Sequence, residues 1–92
     1  MSNEFLTNYF KIMQAGMEAV NHEELIKATE MVKAVSKAGN KLMIAGNGGS
    51  AAMASHCSVD LTKNAGLRCI NCNEADLITC FANDYGFERW VE

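Results

Sequence analysis

The sequence contains no proline, no long apolar run and no strong excess of charge of one sign. Its 92 residues have a formal net charge of −3 at pH 7, and no basic cluster indicates a nucleic-acid surface. No stretch approaches the roughly 18 consecutive apolar residues that a membrane-spanning helix needs. The first residues lack the basic and apolar regions of a secretory signal. We therefore expect a cytoplasmic protein that binds neither nucleic acid nor a membrane.

The four cysteines, at positions 57, 69, 72 and 80, do not form a zinc-knuckle pattern. Cys69 and Cys72 make one C-x-x-C pair, but the second pair that such a site needs is absent. We expect four reduced and mostly buried thiols. An apolar content of 49% is ordinary for a globular domain, although the length allows only a marginal core.

The first 39 residues have the periodicity of two amphipathic helices. Ser2 or Asn3 can cap the first helix, and Asn21 can cap the second, which ends near Gly39. Apolar side chains recur three and four residues apart in the first helix, at Phe5, Leu6, Tyr9, Phe10, Met13 and Met17. We interpret residues 1–39 as a helical hairpin that serves packing or oligomerisation.

From residue 40 onward, short apolar strands alternate with helices. The predicted order is strand 41–45, helix 50–64, strand 67–72 and helix 74–83, with a further helix beginning near Phe87. A strand, a helix and a second strand form a right-handed βαβ unit with parallel strands. Because two strands do not make a stable sheet alone, we predict the α/β class. We expect residues 40–92 to be the first part of a longer parallel sheet, unless partner chains supply the rest.

Residues 45–52 read A-G-N-G-G-S-A-A and join the first predicted strand to the next helix. Ligands of open α/β sheets collect at this edge, and glycines let them approach the backbone closely. The free N–H groups of a helix start favour anions, while asparagine and serine side chains suit hydroxyl groups. We therefore predict four substrate-binding residues, Asn47, Gly48, Gly49 and Ser50. The alternative is a tight turn without a ligand.

The same loop satisfies the dinucleotide fingerprint G-x-G-x-x-G/A, from Gly46 to Ala51. The next suitable acid, Glu74, lies 28 residues beyond Gly46, whereas about 20 is usual. Two helices before the first strand are also atypical of that class. We expect no nucleotide cofactor, and dinucleotide binding stays open as an alternative.

His56 and Asp60 are four residues apart and share one face of the helix that follows the loop. Aldose–ketose isomerisation needs a base that moves a proton between adjacent carbons and an acid that serves the oxygens. We predict His56 and Asp60 as that catalytic pair. The same two side chains can contribute two ligands to zinc, or make only an ordinary contact on the helix surface.

Residues 44–64 and 73–88 together resemble the sugar isomerase (SIS) domain family, and within it the phosphoheptose isomerases. The motifs are GNGGSAA, the His-x-x-x-acid pair on the next helix, and ANDYGFE. The resemblance implies a flavodoxin-like, doubly wound parallel sheet. It also implies isomerisation of sedoheptulose 7-phosphate to a heptose 7-phosphate, and a homotetramer with active sites between subunits.

The resemblance also implies roles for single residues. Asp60 falls on the catalytic glutamate position, His56 matches a histidine that can bind zinc, and Asp84 matches an aspartate that lines the substrate site. Asp60 is one methylene shorter than glutamate, and Lys63-Asn64 stands where the isomerases commonly have Gly-Arg. A non-catalytic SIS module that binds a sugar phosphate or a protein partner is therefore the second hypothesis. Because the family's phosphate loop and remaining zinc ligands are missing, we expect little activity from these 92 residues alone.

Overall fold

A computed structural model describes residues 2–92 and contains, in that range, four α-helices, two short strands and one 3₁₀ turn. They are α1 Asn3–Glu18, α2 His22–Lys37, β1 Leu42–Ile44, α3 Gly49–Lys63, β2 Cys69–Asn71, α4 Ala75–Tyr85 and the 3₁₀ turn Phe87–Arg89. The chain divides into two compact units, Met1–Met31 and Val32–Glu92. The mixture of helices with a parallel strand pair is compatible with the predicted α/β class.

The first two helices each begin with a polar N-cap side chain, as predicted. The backbone N–H of Phe5 donates to Ser2 Oγ at 3.2 Å, which places the α1 cap at Ser2 rather than Asn3. The N–H of Glu24 donates to Asn21 Oδ1 at 3.1 Å and confirms the predicted cap of α2. Each bond satisfies one of the N–H groups that a helix start leaves without an intrahelical partner. The apolar residues of α1 are exposed, and its use as a packing or oligomerisation surface stays a prediction.

The second unit contains the predicted βαβ arrangement. β1 pairs with β2 in parallel, with Leu42 opposite Cys69 and Ile44 opposite Asn71. α3 connects the strands and contacts both of them. Each strand has three residues, which is shorter than predicted, because the chain beyond Ile44 turns into the glycine-rich segment instead of extending the ladder.

The strands are covered on one face only. Leu42 and Ile44 are half-buried, whereas Met43, which points to the other face, is 69% exposed. The buried apolar residue of the described part is Ala54 on α3. The two-residue period of a strand therefore leaves alternate residues half-buried, and no residue of β1 or β2 is fully buried.

The prediction of mostly buried thiols is wrong. Cys57 and Cys80 are exposed, and Cys69 and Cys72 are half-buried. The two exposed thiols lie on helices, on sides that no other described element covers. No helix between residues 2 and 92 combines the length and the apolar character needed to cross a membrane.

Candidate functional site

The glycine loop, Gly46–Ser50, leaves the carboxyl end of β1 and enters α3 at Gly49. Gly48 precedes the helix with φ 60° and ψ −122°, a backbone conformation that favours glycine. No side chain caps this end of the helix. Within residues 2–92, the N–H groups of Gly48 and Gly49 make no hydrogen bond. The loop therefore offers two free N–H donors at a helix start, where an anion or a polar oxygen is favoured.

Local hydrogen bonds close the loop on itself. The N–H of Asn47 donates to Ser50 Oγ at 2.8 Å, and the Ser50 hydroxyl donates to the Asn47 carbonyl at 2.8 Å. The Asn47 side chain is exposed. Of the four predicted substrate-binding residues, Asn47, Gly48 and Gly49 thus present groups that a ligand can use. Ser50 shapes the loop, although its oxygen can still accept a second hydrogen bond.

The first glycine of the loop packs tightly against the start of α3. A Cβ atom built on Gly46 would overlap the Ser50 carbonyl group and would lie 2.6 Å from the backbone nitrogen of Ala51. Only glycine fits this close approach between strand and helix backbones. The requirement at Gly46 is therefore steric, whereas the requirement at Gly48 comes from its positive φ.

Two asparagines at the end of β2, which the sequence analysis did not single out, hydrogen-bond to this region. The N–H of Gly46 donates to Asn73 Oδ1 at 2.8 Å, and Asn73 Nδ2 donates to the Gly46 carbonyl at 2.6 Å. The N–H of Asn73 donates to Asn71 Oδ1 at 3.0 Å, and Asn71 Nδ2 donates to Ser55 Oγ at 3.0 Å. The available sequence signal was an asparagine after a parallel strand, at the edge where ligands collect.

His56 and Asp60 meet on the surface of α3, as their spacing predicts. His56 Nε2 lies 3.6 Å from Asp60 Oδ2, and the side chains are 77% and 55% exposed. Asn64 Nδ2 donates to the other oxygen, Asp60 Oδ1, at 3.4 Å. An exposed pair at this spacing stabilises the helix by only about 0.3 to 0.5 kcal/mol. The contact therefore adds little to the stability of α3.

The glycine loop and this pair share one side of α3. Gly49 lies seven residues before His56, which is close to two full helical turns and about 10.5 Å along the axis. Gly49 and His56 therefore lie on the same side of α3, while the free N–H groups point out of the N-terminal end of the helix.

Asp84 lies outside α3, in the last turn of α4. Its carboxylate accepts from Cys80 Sγ at 3.7 Å and from Asn83 Nδ2 at 3.1 Å, both on the same helix. Gly86 follows with φ 97° and ends the helix. Among the described residues, Asp84 makes no hydrogen bond to the loop or to His56. Its assignment to the substrate site stays a prediction.

Glu74, the acid considered for the dinucleotide alternative, caps α4. Its Oε2 atom accepts from the N–H of Leu77 at 3.4 Å, and its φ of −91° and ψ of 133° are those of an N-cap residue. The acidic residue that the dinucleotide pattern would use for a ribose hydroxyl thus has a structural role.

The described residues do not complete a zinc site. Structural zinc has four ligands, and catalytic zinc usually has three protein ligands and water. No group of three or more His, Cys, Asp or Glu side chains suited to a metal ion occurs in residues 2–92. The His56–Asp60 pair alone does not fit zinc, and any zinc held there takes its other ligands from outside this part of the chain.

A cleft lies elsewhere, beside α4 and the 3₁₀ turn. Its volume is about 340 Å³, and it is lined by Phe81, Tyr85, Arg89, Trp90 and Glu92. Arg89 is paired with Glu92 through Nε at 3.0 Å and a second guanidinium nitrogen at 2.8 Å. No residue of the predicted site lines this cleft, so the predicted site is an open surface in the described part of the chain.

Comparison with known proteins finds curated relatives that are named phosphoheptose isomerases. A phosphoheptose isomerase of Trichlorobacter lovleyi is 39% identical over 79% of this chain and 40% of its own length. A phosphoheptose isomerase of Geobacter metallireducens is 32% identical over 94% of this chain and 50% of its own length. A probable phosphoheptose isomerase of Thermoplasma acidophilum is 33% identical over 85% of this chain and 48% of its own length. The chain spans half the length of these relatives or less. No protein-family profile and no solved structure matches it.

Proposed function

We propose that the full-length protein is a sugar-phosphate aldose–ketose isomerase, because this chain is related to the phosphoheptose isomerases of the SIS family. We propose sedoheptulose 7-phosphate as its substrate and a heptose 7-phosphate as its product. The observation that carries the proposal is the His56–Asp60 pair on the helix that the glycine loop opens.

The chemistry follows from the groups on this helix. Conversion of a ketose to an aldose removes a proton from C1 and returns a proton to C2, while the O1 proton is lost and O2 gains one. The Asp60 carboxylate is the base that moves the carbon-bound proton. His56 serves the oxygens, because an imidazole can both donate and accept a proton near neutral pH. The free N–H groups of Gly48 and Gly49, with the Asn47 amide, bind oxygens of the sugar.

An exposed pair needs to be covered for efficient proton transfer, because water competes for the charges and the protons. We propose that further segments or a second copy of the protein enclose the site in a homotetramer. In that assembly residues 40–92 begin a doubly wound parallel sheet, and Asp84 approaches the substrate. We propose the cytoplasm as the location of this protein.

The experiment is turnover of sedoheptulose 7-phosphate by the full-length protein, compared with two carboxylate-to-amide variants. We expect Asp60→Asn to lower kcat by about 100- to 10,000-fold, the usual contribution of a general base. The matched control is Asp76→Asn, an exposed change in the first turn of α4, and we expect it to retain wild-type kcat. Wild-type turnover by Asp60→Asn would contradict the proposed role of Asp60.

Zinc is examined separately by elemental analysis of the purified full-length protein. Because His56 supplies at most one of four ligands, we expect His56→Ala to lower the bound zinc without abolishing folding. Equal zinc content in wild type and His56→Ala would show that the metal, where bound, does not use this residue.

A second candidate function is a non-catalytic module that binds a sugar phosphate or a protein partner. The observation that favours it is that both oxygens of Asp60 are engaged by neighbours on its own helix, His56 and Asn64. Calorimetric binding of sedoheptulose 7-phosphate without turnover would support this candidate over the isomerase.

A further inference from the structure

We propose that Asn71 and Asn73 are positioning residues that hold the glycine loop and α3 in one fixed arrangement at the end of β2. We call these two residues the asparagine bridge. The inference rests on the proposed function, since it concerns how the same site is assembled. It does not place either asparagine in contact with the substrate.

The Asn73 side chain makes hydrogen bonds just beyond the end of the β1–β2 ladder. The last ladder bond runs from the N–H of Cys72 to the Ile44 carbonyl at 2.9 Å. Two residues beyond the end of β1, the Asn73 side-chain amide hydrogen-bonds to both backbone groups of Gly46, at 2.8 and 2.6 Å. A carboxamide can do this because it carries a donor and an acceptor in one plane, whereas an ionised aspartate has only acceptors. These two hydrogen bonds join Asn73 and Gly46, which are 27 positions apart in sequence.

Asn71 extends the connection to the catalytic helix. Its Oδ1 accepts from the N–H of Asn73 at 3.0 Å, and its Nδ2 donates to Ser55 Oγ at 3.0 Å. Ser55 immediately precedes His56 on α3. These bonds are partly buried, where hydrogen bonds are less weakened by water than on the surface. One end of β2 is thus tied to the loop and to the helix turn that carries His56.

By contrast, the Asn47–Ser50 hydrogen bonds act only within the glycine loop and do not connect it to β2. The relative positions of the loop donors and His56 therefore depend on Asn71 and Asn73. Displacements near 1 Å in such an arrangement can cost about 100-fold in rate.

The experiment measures kcat and KM of the full-length protein with sedoheptulose 7-phosphate, per folded molecule. We expect Asn73→Ala to raise KM about tenfold, equivalent to about 1.4 kcal/mol, because the loop loses its anchor. We expect Asn71→Ala to lower kcat about tenfold while KM changes less than twofold, because the helix turn beside His56 loses its anchor. Asn73→Asp keeps the acceptor but removes the donor, and we expect it to raise KM at least as much as Asn73→Ala.

The matched control is Asn40→Ala, an exposed asparagine in the turn between α2 and β1, for which we expect wild-type values. If Asn71→Ala and Asn73→Ala lower only the thermal midpoint, with kcat and KM per folded molecule unchanged, the bridge is a general stabilising contact and the inference is wrong. A smaller amount of folded protein lowers the apparent kcat and leaves KM unchanged, so kcat is normalised to the folded protein and a rise in KM is not expected from loss of folded protein alone.

Amide hydrogen exchange tests the bridge without relying on turnover. In the full-length protein we expect exchange in residues 42–52 to accelerate about tenfold in Asn73→Ala but not in Asn40→Ala. If wild-type protein neither turns over nor binds sedoheptulose 7-phosphate, the proposed function fails, and this exchange measurement alone decides the bridge. Equal exchange in Asn73→Ala and wild type would overturn it in either case.

Discussion

Replacing Gly46 with alanine is expected to destabilise the full-length protein by about 1 to 3 kcal/mol, the usual cost of inserting an atom where there is no room. The added Cβ would overlap the Ser50 carbonyl and would stand 2.6 Å from the Ala51 nitrogen. Ordinary contacts between such atoms are about 3.5 Å or longer. The loop and α3 would therefore have to separate by about 1 Å. Because the obstructing atoms belong to the backbone, no side-chain rotation can relieve the overlap.

The same shift should also reduce activity. Gly46 donates to and accepts from Asn73, so a separation of loop and helix strains both bonds. It also moves the Gly48 and Gly49 donors relative to the His56–Asp60 pair. A misplacement of about 1 Å can cost roughly 100-fold in rate, and we expect a fall of that order in kcat/KM with sedoheptulose 7-phosphate.

A second glycine in the same chain provides the control. Gly16 lies inside α1, and a Cβ built there meets nothing within 4 Å among the described residues. We expect Gly16→Ala to stabilise the protein by about 0.5 to 1 kcal/mol, since alanine has less backbone entropy to lose than glycine. Urea denaturation of both variants gives the two values when the m-value is unchanged. A Gly46→Ala variant as stable as Gly16→Ala would refute the steric argument.

Three further outcomes follow from single contacts. Asn21→Ala removes the cap of α2 and should lower the free energy of unfolding by about 1 kcal/mol in urea denaturation. Asn8→Ala in the exposed middle of α1 should instead raise it by up to about 0.7 kcal/mol, because alanine has the higher helix propensity. Asp60→Glu lengthens the side chain by about 1.5 Å and keeps the base. Its extra rotatable bond lets the carboxylate return to the same position, so kcat should stay within about tenfold of wild type, in contrast to the amide variant. A loss as large as that of the amide variant would show that carboxylate position matters as much as charge. Burial and, to a smaller extent, the charges of two neighbouring cysteines raise the pKa of the Cys69 thiol. Iodoacetamide at pH 8 should therefore label Cys69 more slowly than the exposed Cys80. Peptide mass spectrometry measures both rates, and faster labelling of Cys69 would contradict the prediction. The stability that the Cys69 thiol contributes is present below its ordinary pKa and is lost as pH rises through the raised value.

The order of helices and strands followed from local sequence patterns. Apolar spacing identified α1, the asparagine at position 21 identified the start of α2, and Gly39 with φ 74° lies just beyond its end. The ends of the strands did not follow from such patterns. Strand length depends on how far two distant segments stay paired, and apolar runs at 41–45 and 67–72 do not contain that information.

The candidate site was predictable in part. His56 and Asp60 meet because a helix brings residues four apart onto one face, whatever surrounds it. Asn73 was not predictable, since its partner Gly46 lies 27 residues away and they meet only through parallel strand pairing. The exposure of Cys57 and Cys80 was likewise missed, because residue type indicates a tendency to be buried but not which side of a helix is covered.

Sequence alone thus determined the features that depend on neighbours within about one helical turn. These are the helix caps, the glycine loop after β1 and the face shared by His56 and Asp60. Only the tertiary structure decided what joins the loop to the rest of the site. That connection is the asparagine bridge, which forms because parallel pairing of β1 with β2 carries Asn73 to Gly46.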